Sequence, residues 1–147
     1  EWYNLGKRTM ECTKLMMGLK AYALLKSYGS EIIDEYVTRQ YDLGKTFAEM
    51  LEKRDDWELA MQPDTNIVCF RYRPDNLEET ETERLNAFVR QQLLEEGEFY
   101  IVQTRLKNIF YLRTTLMNPF TTEKELNALL ERIEAVAATW KSTTLNY

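Results

Sequence analysis

One arginine in this sequence has a context that points to chemistry. Arg113 interrupts the apolar, strand-forming run 109–115, which contains β-branched and aromatic residues but no glycine or proline. An arginine on either face of a sheet needs an acidic partner or a solvent-filled cleft. Its planar guanidinium suits a carboxylate, to which it can donate two parallel hydrogen bonds. Arg113 is therefore a candidate carboxylate-binding residue.

The same pattern allows a purely structural interpretation of Arg113. Side chains alternate between the two faces of a strand, so Tyr111, Arg113 and Thr115 can simply lie on the face away from the core. Arg71 and Arg73 follow another strand-forming run and present the same choice. The residues alone favour neither interpretation.

Several kinds of catalytic site are excluded by composition. The chain contains no histidine, which removes the Ser-His-Asp and Cys-His arrangements and an imidazole zinc site. Its 5 glycines are scattered singly, so no glycine-rich phosphate loop is present. We predict no metal site and no nucleotide site.

The acidic residues and the cysteines suggest structural roles. Acidic residues cluster at the start of one predicted helix, where they complement the helix dipole, and the Glu95-Glu96 pair ends that helix. We assign them no acid–base role. The first cluster comprises Glu78, Glu79, Glu81 and Glu83. Cys12 and Cys69 lie within apolar helical and strand patterns and are interpreted as small buried hydrophobes in a reducing, cytoplasmic compartment.

Hydrophobic periodicity predicts the elements that position these residues. Gly29 and Gly97 are placed to end helices, and Thr80 with Glu83 and Thr122 with Glu125 match the capping-box pattern. The predicted helices are 9–28, 30–54, 80–96 and 122–141, and the predicted strands are 57–61, 67–72, 99–102 and 109–115. This order predicts an α+β fold, with an antiparallel four-stranded sheet covered on one face by helices and preceded by a long helical hairpin.

Length and charge limit the possible partners. A chain of 147 residues with 44% hydrophobic and 29% charged residues is expected to form one globular domain. The net charge of −5 comes without a basic stripe, so we predict no nucleic-acid partner, and the apolar runs are too short for a membrane partner. Because the first residues lack an initiator Met, we expect a piece of a longer protein.

Short motifs along nearly the whole chain resemble one enzyme family. In order and position they are similar to the C-terminal small domain of group II pyridoxal-phosphate-dependent amino-acid decarboxylases. This family includes enzymes that act on glutamate, aromatic amino acids or diaminobutyrate. The matching segments are Leu5-Gly6-Lys7-Arg8, Lys14-Leu15-Met16, Lys26-Ser27-Tyr28-Gly29, Asn66 to Arg71, the Gly97 junction, and Phe110 to Arg113 with Asn118-Pro119.

The resemblance implies a fold and assigns different roles to a large and a small domain. The fold would be the small domain of fold-type I enzymes, with residues 1–29 as a linker helix from a large domain, 30–141 as the small domain and 142–147 as a loose tail. The upstream large domain would bind most of the pyridoxal phosphate and carry the catalytic residues. The chain itself would contain no catalytic or cofactor-binding residue and would work in a homodimer on a small amino acid.

By this resemblance, the position of Arg113 matches an arginine that in the glutamate-decarboxylating members holds the α-carboxylate of the substrate near the cofactor. The alternative is a free-standing α+β interaction or ligand-sensing module without a cofactor. The two hypotheses differ in exposed surface, since a domain that docks on a larger partner should expose a large apolar patch. We expect such a patch near Phe110, Tyr111 and Leu112.

Overall fold

The structure is a computed structural model that describes residues 17–144. The described chain divides into two compact units, the first ending at Glu35 and the second beginning at Tyr36. The helices are α1 (Met17–Tyr28), α2 (Glu31–Glu52), α3 (Glu79–Glu96) and α4 (Glu123–Thr144). The strands are β1 (Trp57–Leu59), β2 (Ile67–Tyr72), β3 (Val102–Leu106) and β4 (Ile109–Thr115).

The first unit contains α1 and the start of α2. Gly29 ends α1 in the left-handed conformation, with φ of 78°, and its N–H donates to the Leu25 carbonyl at 2.9 Å, as expected for a glycine C-cap. The two helices of the predicted hairpin are thus present. The large apolar side chains of α1, however, are exposed, so the apolar face that the sequence predicts is not buried within the described residues. They are Leu19, Tyr22, Leu24, Leu25 and Tyr28.

The predicted four-stranded antiparallel sheet is confirmed. Its strand order is β1-β2-β4-β3, and every neighbouring pair is antiparallel. Arg71 on β2 lies opposite Glu58 on β1. Arg113 on β4 lies opposite Cys69 on β2 and Val102 on β3. Two arginines therefore occupy different places on one sheet.

Alternation along the strands separates a core face from an outer face. Val68 and Phe70 of β2, and Phe110 and Leu112 of β4, are buried in the core. Helices α2, α3 and α4 cover this face, as predicted, and a fully buried Leu or Phe contributes about 1.5–3 kcal/mol. The helical core residues include Phe47, Leu51, Leu85, Val89, Leu93, Leu130 and Ile133. The side chains between the core positions, including Arg71 and Arg113, are left for the opposite face.

Helix α2 packs closely on the segment before β2. A Cβ at Gly44 would lie 2.7 Å from the Thr65 carbonyl oxygen, so no larger residue fits without a shift. One turn further along α2, the Phe47 ring packs edge-on against Phe70 with 5.2 Å between ring centroids. This contact fixes α2 against the strand that carries Arg71.

One predicted capping box is confirmed and the other is wrong. At the start of α4 the Thr122 N–H donates to Glu125 at 2.8 Å, and the Thr122 hydroxyl accepts from the Lys124 N–H at 3.3 Å. Helix α3 instead begins at Glu79 with Glu78 as N-cap and no side-chain cap, so the predicted Thr80 cap lies inside the helix. Glu79 pairs with Arg71, and this tertiary contact explains why the helix begins earlier than predicted.

Strand β3 is displaced from its predicted position. The strand-forming run 99–102 precedes it, and Ile101 and Phe99 pack on the core instead. The β3–β4 turn consists of Lys107 and Asn108, both with positive φ (51° and 68°), as in a type I′ hairpin.

The C-terminal helix is longer than predicted. Helix α4 runs through Thr144, past its predicted end at 141 and into the predicted loose tail, and residues 145–147 lie outside the described chain. None of the helices described here is long and apolar enough to cross a membrane.

Candidate functional site

A groove opens where β4 ends and α4 begins. Its volume is about 440 Å³, and its charged lining residues are Arg113 and Glu125. The other lining residues are hydroxyl-bearing, aromatic or aliphatic. They are Phe99, Tyr100, Val102, Thr114, Thr115, Leu116, Met117, Thr121, Leu126 and Leu129. The residue that the sequence singled out therefore lines a cavity large enough for a small amino acid.

Arg113 lacks a partner within the described chain. Its side chain is half-buried, and its Nε is buried without a hydrogen-bond partner. No acidic residue of the described chain lies within ion-pair distance of it. Because an unpaired buried guanidinium nitrogen is costly, this arrangement suits an anionic ligand that completes the site.

Arg71, on the same face of the sheet, has acidic partners for both terminal nitrogens, although its Nε, like that of Arg113, has no hydrogen-bond partner. It is 2% exposed, and its Nη2 donates to Glu58 at 2.8 Å and to Glu79 at 3.2 Å. Its guanidinium also lies over the Tyr111 ring, 5.2 Å from the centroid. Arg73 pairs with Glu58 at 2.7 Å. The sequence left open whether Arg71 and Arg73 are structural or bind a ligand. The structure shows that both belong to a structural ion-pair network.

Electrostatic interactions within this network keep Glu58 ionised and Tyr111 neutral. Burial favours the neutral form of Glu58, but hydrogen bonds from Arg71, Tyr111 and Arg73 outweigh it and lower the pKa of the carboxyl group. Burial, together with the hydrogen bond from its hydroxyl to Glu58 (2.8 Å), raises the pKa of Tyr111 to about 12. The network is thus an ionised Glu58 that holds a neutral phenol and two arginines.

Two residues whose role was not predicted from the sequence position the rim of the groove by hydrogen bonds. The Asn66 side chain donates to the Leu116 carbonyl at 2.8 Å, and the Asn66 carbonyl accepts from the Leu116 N–H at 2.9 Å. The Tyr36 hydroxyl donates to the Met117 carbonyl at 2.5 Å. Helix α2 and the start of β2 therefore position the loop that follows β4. No periodicity signals these contacts, because they join residues 50 and 81 positions apart.

Cys69 is the cross-strand neighbour of Arg113. It is half-buried and is a free thiol. Burial raises the pKa of this thiol and outweighs the opposing effect of Arg113, so Arg113 faces a neutral group there. The residue is less buried than the sequence predicts, and Cys12 lies outside the described residues.

The acidic clusters have more specific contacts than the sequence predicts. Glu83 pairs with Arg105, and Glu96 accepts two hydrogen bonds from Arg132, one of them at 2.8 Å. These ion pairs are structural and bring no acid and base together at the groove. The expected exposed patch at 110–112 is wrong, because all three residues are buried.

Fold and site together define an α+β small domain with one unpaired arginine in an open groove. Residues 2–73 match the family model described as the pyridoxal-dependent decarboxylase conserved domain. The acidic amino acid decarboxylase of Mus musculus is 22% identical over 91% of this chain, which covers 26% of that protein. The aromatic-L-amino-acid decarboxylase of Bacillus atrophaeus is 27% identical over 91% of this chain, which covers 28% of that protein.

A solved structure shows the same fold. The crystal structure of Oryza sativa TDC with PLP and tryptamine superposes with a TM-score of 0.75 at 21% identity, covering 84% of this chain and 27% of that one. The resemblance predicted from the sequence is therefore confirmed, and the chain is a relative of the pyridoxal-phosphate-dependent decarboxylases. Pyridoxal phosphate is confirmed as the cofactor of that family.

These similarities have definite bounds. The chain spans about a quarter of the length of the curated relatives it matches, and Arg113 lies outside the segment matched by the family model. Among the residues that the structure describes, the groove lining contains Arg113 as a cation and no lysine. Its residues therefore do not fit pyridoxal phosphate as a covalent partner, and we derive no catalytic step from them.

Proposed function

We propose that this chain is the C-terminal small-domain part of a longer pyridoxal-phosphate-dependent amino-acid decarboxylase, here called the parent enzyme. In this proposal the upstream large domain binds the cofactor and carries out the chemistry. The groove contributes Arg113, which binds the α-carboxylate of a small amino-acid substrate. The parent enzyme works as a cytoplasmic homodimer, and this chain alone is not catalytic.

The observation that carries the proposal is the unpaired guanidinium of Arg113. Arg71 and Arg73 on the same sheet both have acidic partners, whereas Arg113 has none in the described chain and lines the groove. A guanidinium–carboxylate pair fixes both the position and the plane of the carboxylate. This orientation is what a decarboxylase needs from a residue that does not itself react.

Exposed apolar surface supports the existence of a docked partner domain. In the second unit, Tyr100, Met117 and Phe120 surround the groove loops and are 72%, 63% and 83% exposed. In the first unit, the apolar side chains of α1 are exposed. Clusters of exposed large apolar residues are typical of interaction surfaces. They favour the multidomain proposal over a free-standing module.

The test uses the purified parent enzyme and its Arg113→Ala variant. Bound pyridoxal phosphate is measured by absorbance, and carbon dioxide release is measured with acidic, aromatic and diamino acids. Loss of a charge-assisted pair of about 2–3 kcal/mol predicts a roughly 100-fold fall in kcat/KM with cofactor content unchanged. Arg73→Ala is the matched control, because Arg73 lies on the same sheet outside the groove, and we expect its kcat/KM to stay within about twofold of wild type.

Two results would contradict the proposal at different points. A parent enzyme that binds no pyridoxal phosphate would leave the interaction or ligand-sensing module as the better hypothesis. Unchanged turnover in Arg113→Ala, with decarboxylation intact, would reject the carboxylate-binding role alone.

A further inference from the structure

The groove contains two opposite charges that do not pair with each other. Arg113 comes from β4 and Glu125 from the first turn of α4. No ion pair joins them within the described chain, although both line the same cavity of about 440 Å³. Opposite charges that line one cavity without pairing can bind a ligand that carries both signs.

Glu125 is held in place with its charge available. The Thr122 N–H and hydroxyl both donate to its Oε2, at 2.8 and 2.5 Å. These hydrogen bonds lower the pKa of the Glu125 carboxyl group, which keeps it ionised at neutral pH. A carboxylate has about four acceptor positions, so Oε1 keeps the capacity to accept from a ligand.

We infer, on the basis of the proposed function, that the groove selects amino acids whose side chain ends in a cation, with Glu125 as the specificity-determining residue. The α-carboxylate pairs with the guanidinium of Arg113, which is the cation in the groove lining that the structure describes. A side-chain ammonium then pairs with Glu125. An acidic side chain would find no second cation in the lining and would face a carboxylate. Apolar residues of the same lining, including Phe99 and Val102, contact the methylene groups of the substrate.

The size of the effect follows from exposure. Glu125 is exposed, and exposed charge pairs are weak, so we expect a roughly two- to fivefold change in kcat/KM. Salt screens such pairs, so the preference should shrink at high ionic strength. An effect of this size shifts the preference among substrates.

The experiment compares, in the parent enzyme, three substrates whose side chains share two methylene groups before the terminal group. They are 2,4-diaminobutyrate, whose side chain is cationic, norvaline, which is neutral, and glutamate, which is anionic. We expect Glu125→Gln to lower kcat/KM for diaminobutyrate about two- to fivefold, to raise it for glutamate by a similar factor, and to leave norvaline unchanged. Glutamine is also accepted in a capping box, so the start of α4 is retained.

Glu123→Gln is the matched control, because it removes the same charge from the same helical turn outside the groove. We expect it to leave the ratios among the three substrates unchanged. Equal changes with all three substrates in Glu125→Gln, or a wild-type preference for glutamate, would overturn the inference while the decarboxylase function stands. A parent enzyme without bound pyridoxal phosphate would instead reject the proposed function, and the inference with it.

Discussion

Arg71 and Arg113 lie on the same face of the same sheet but in opposite surroundings. The cross-strand neighbour of Arg71 is Glu58, and a second carboxylate reaches it from the start of α3. The cross-strand neighbour of Arg113 is Cys69, a neutral thiol. One guanidinium is paired with carboxylates of the fold, and the other has no acidic partner in the described chain, as the proposed carboxylate-binding role requires.

The difference shows what distinguishes the structural Arg71 from Arg113, for which we propose a binding role. Both interrupt apolar strands, and both are shielded from solvent to some degree. What differs is the charge that the register places opposite each of them, since a buried charge without a partner is costly. An unpaired charge at the mouth of a groove is expected where a bound ligand offsets its unfavourable free energy.

The largest effect that we expect from this comparison is on stability. Arg71→Met removes the charge but keeps the length of the side chain, and it leaves Glu58 and Tyr111 without their central partner. We expect a loss of about 2–3 kcal/mol in the free energy of unfolding, at the lower end for a broken buried pair because Glu79 is half exposed. Urea unfolding of this chain, followed by tryptophan emission, measures the loss.

Arg113→Met is the control for that measurement. Because Arg113 has no ion pair to lose in the described chain and its unpaired charge is costly, the free energy of unfolding should not fall and should rise by up to about 1 kcal/mol. Equal destabilisation by the two substitutions would show that Arg113 is also structural and would break the comparison.

A smaller effect is expected when Arg113 is given the surroundings of Arg71. Cys69→Glu places a carboxylate opposite Arg113, as Glu58 lies opposite Arg71. The new pair competes with the substrate carboxylate, so KM of the parent enzyme should rise about tenfold, equivalent to about 1.4 kcal/mol. Steady-state kinetics measure the change, and stability should gain at most about 1 kcal/mol.

Cys69→Gln separates charge from size in this experiment. The amide has nearly the shape of the carboxylate but no charge, so KM should rise by less than about threefold. If the two variants raise KM equally, the cause is crowding of the groove, and competition for Arg113 is rejected.

The parts of the fold that sequence predicted are those governed by local rules. Strand β4 was predicted with its observed bounds, because its run of strand formers follows a turn at Lys107-Asn108 and closes with two threonines shortly before Asn118-Pro119. Helix α4 was predicted at its start by the Thr122 capping box. The start of α3 was predicted too late in the chain, because Glu79 forms an ion pair with Arg71 that no local pattern reveals. Strand β3 was displaced because the strand formers Phe99 and Ile101 pack on the core.

The site was predictable only in part. Arg113 could be singled out because it interrupts an apolar strand, and Glu125 was recognised only as a helix cap. The partners of Arg71 could not be found, because they depend on strand register and on where α3 begins. The same holds for Tyr36 and Asn66, whose role arises from contacts between distant segments.

The smallest effect concerns Tyr111, which ties the Arg71 network together. Its pKa is raised from 10.0 to about 12 in the folded chain, so between these values the unfolded chain loses the phenol proton while the folded chain keeps it. Stability contributed by the phenol is therefore present below pH 10 and is lost as the pH rises towards 12.

In Tyr111→Phe we expect a loss of about 1 kcal/mol in the free energy of unfolding at neutral pH, and a shallower decline of that free energy in alkali. Urea unfolding across this range measures both, with Tyr100→Phe, an exposed tyrosine, as control. Parallel alkaline slopes for wild type and Tyr111→Phe would mean that the phenol is not coupled to Glu58, and that Arg71 is held by its two carboxylates alone.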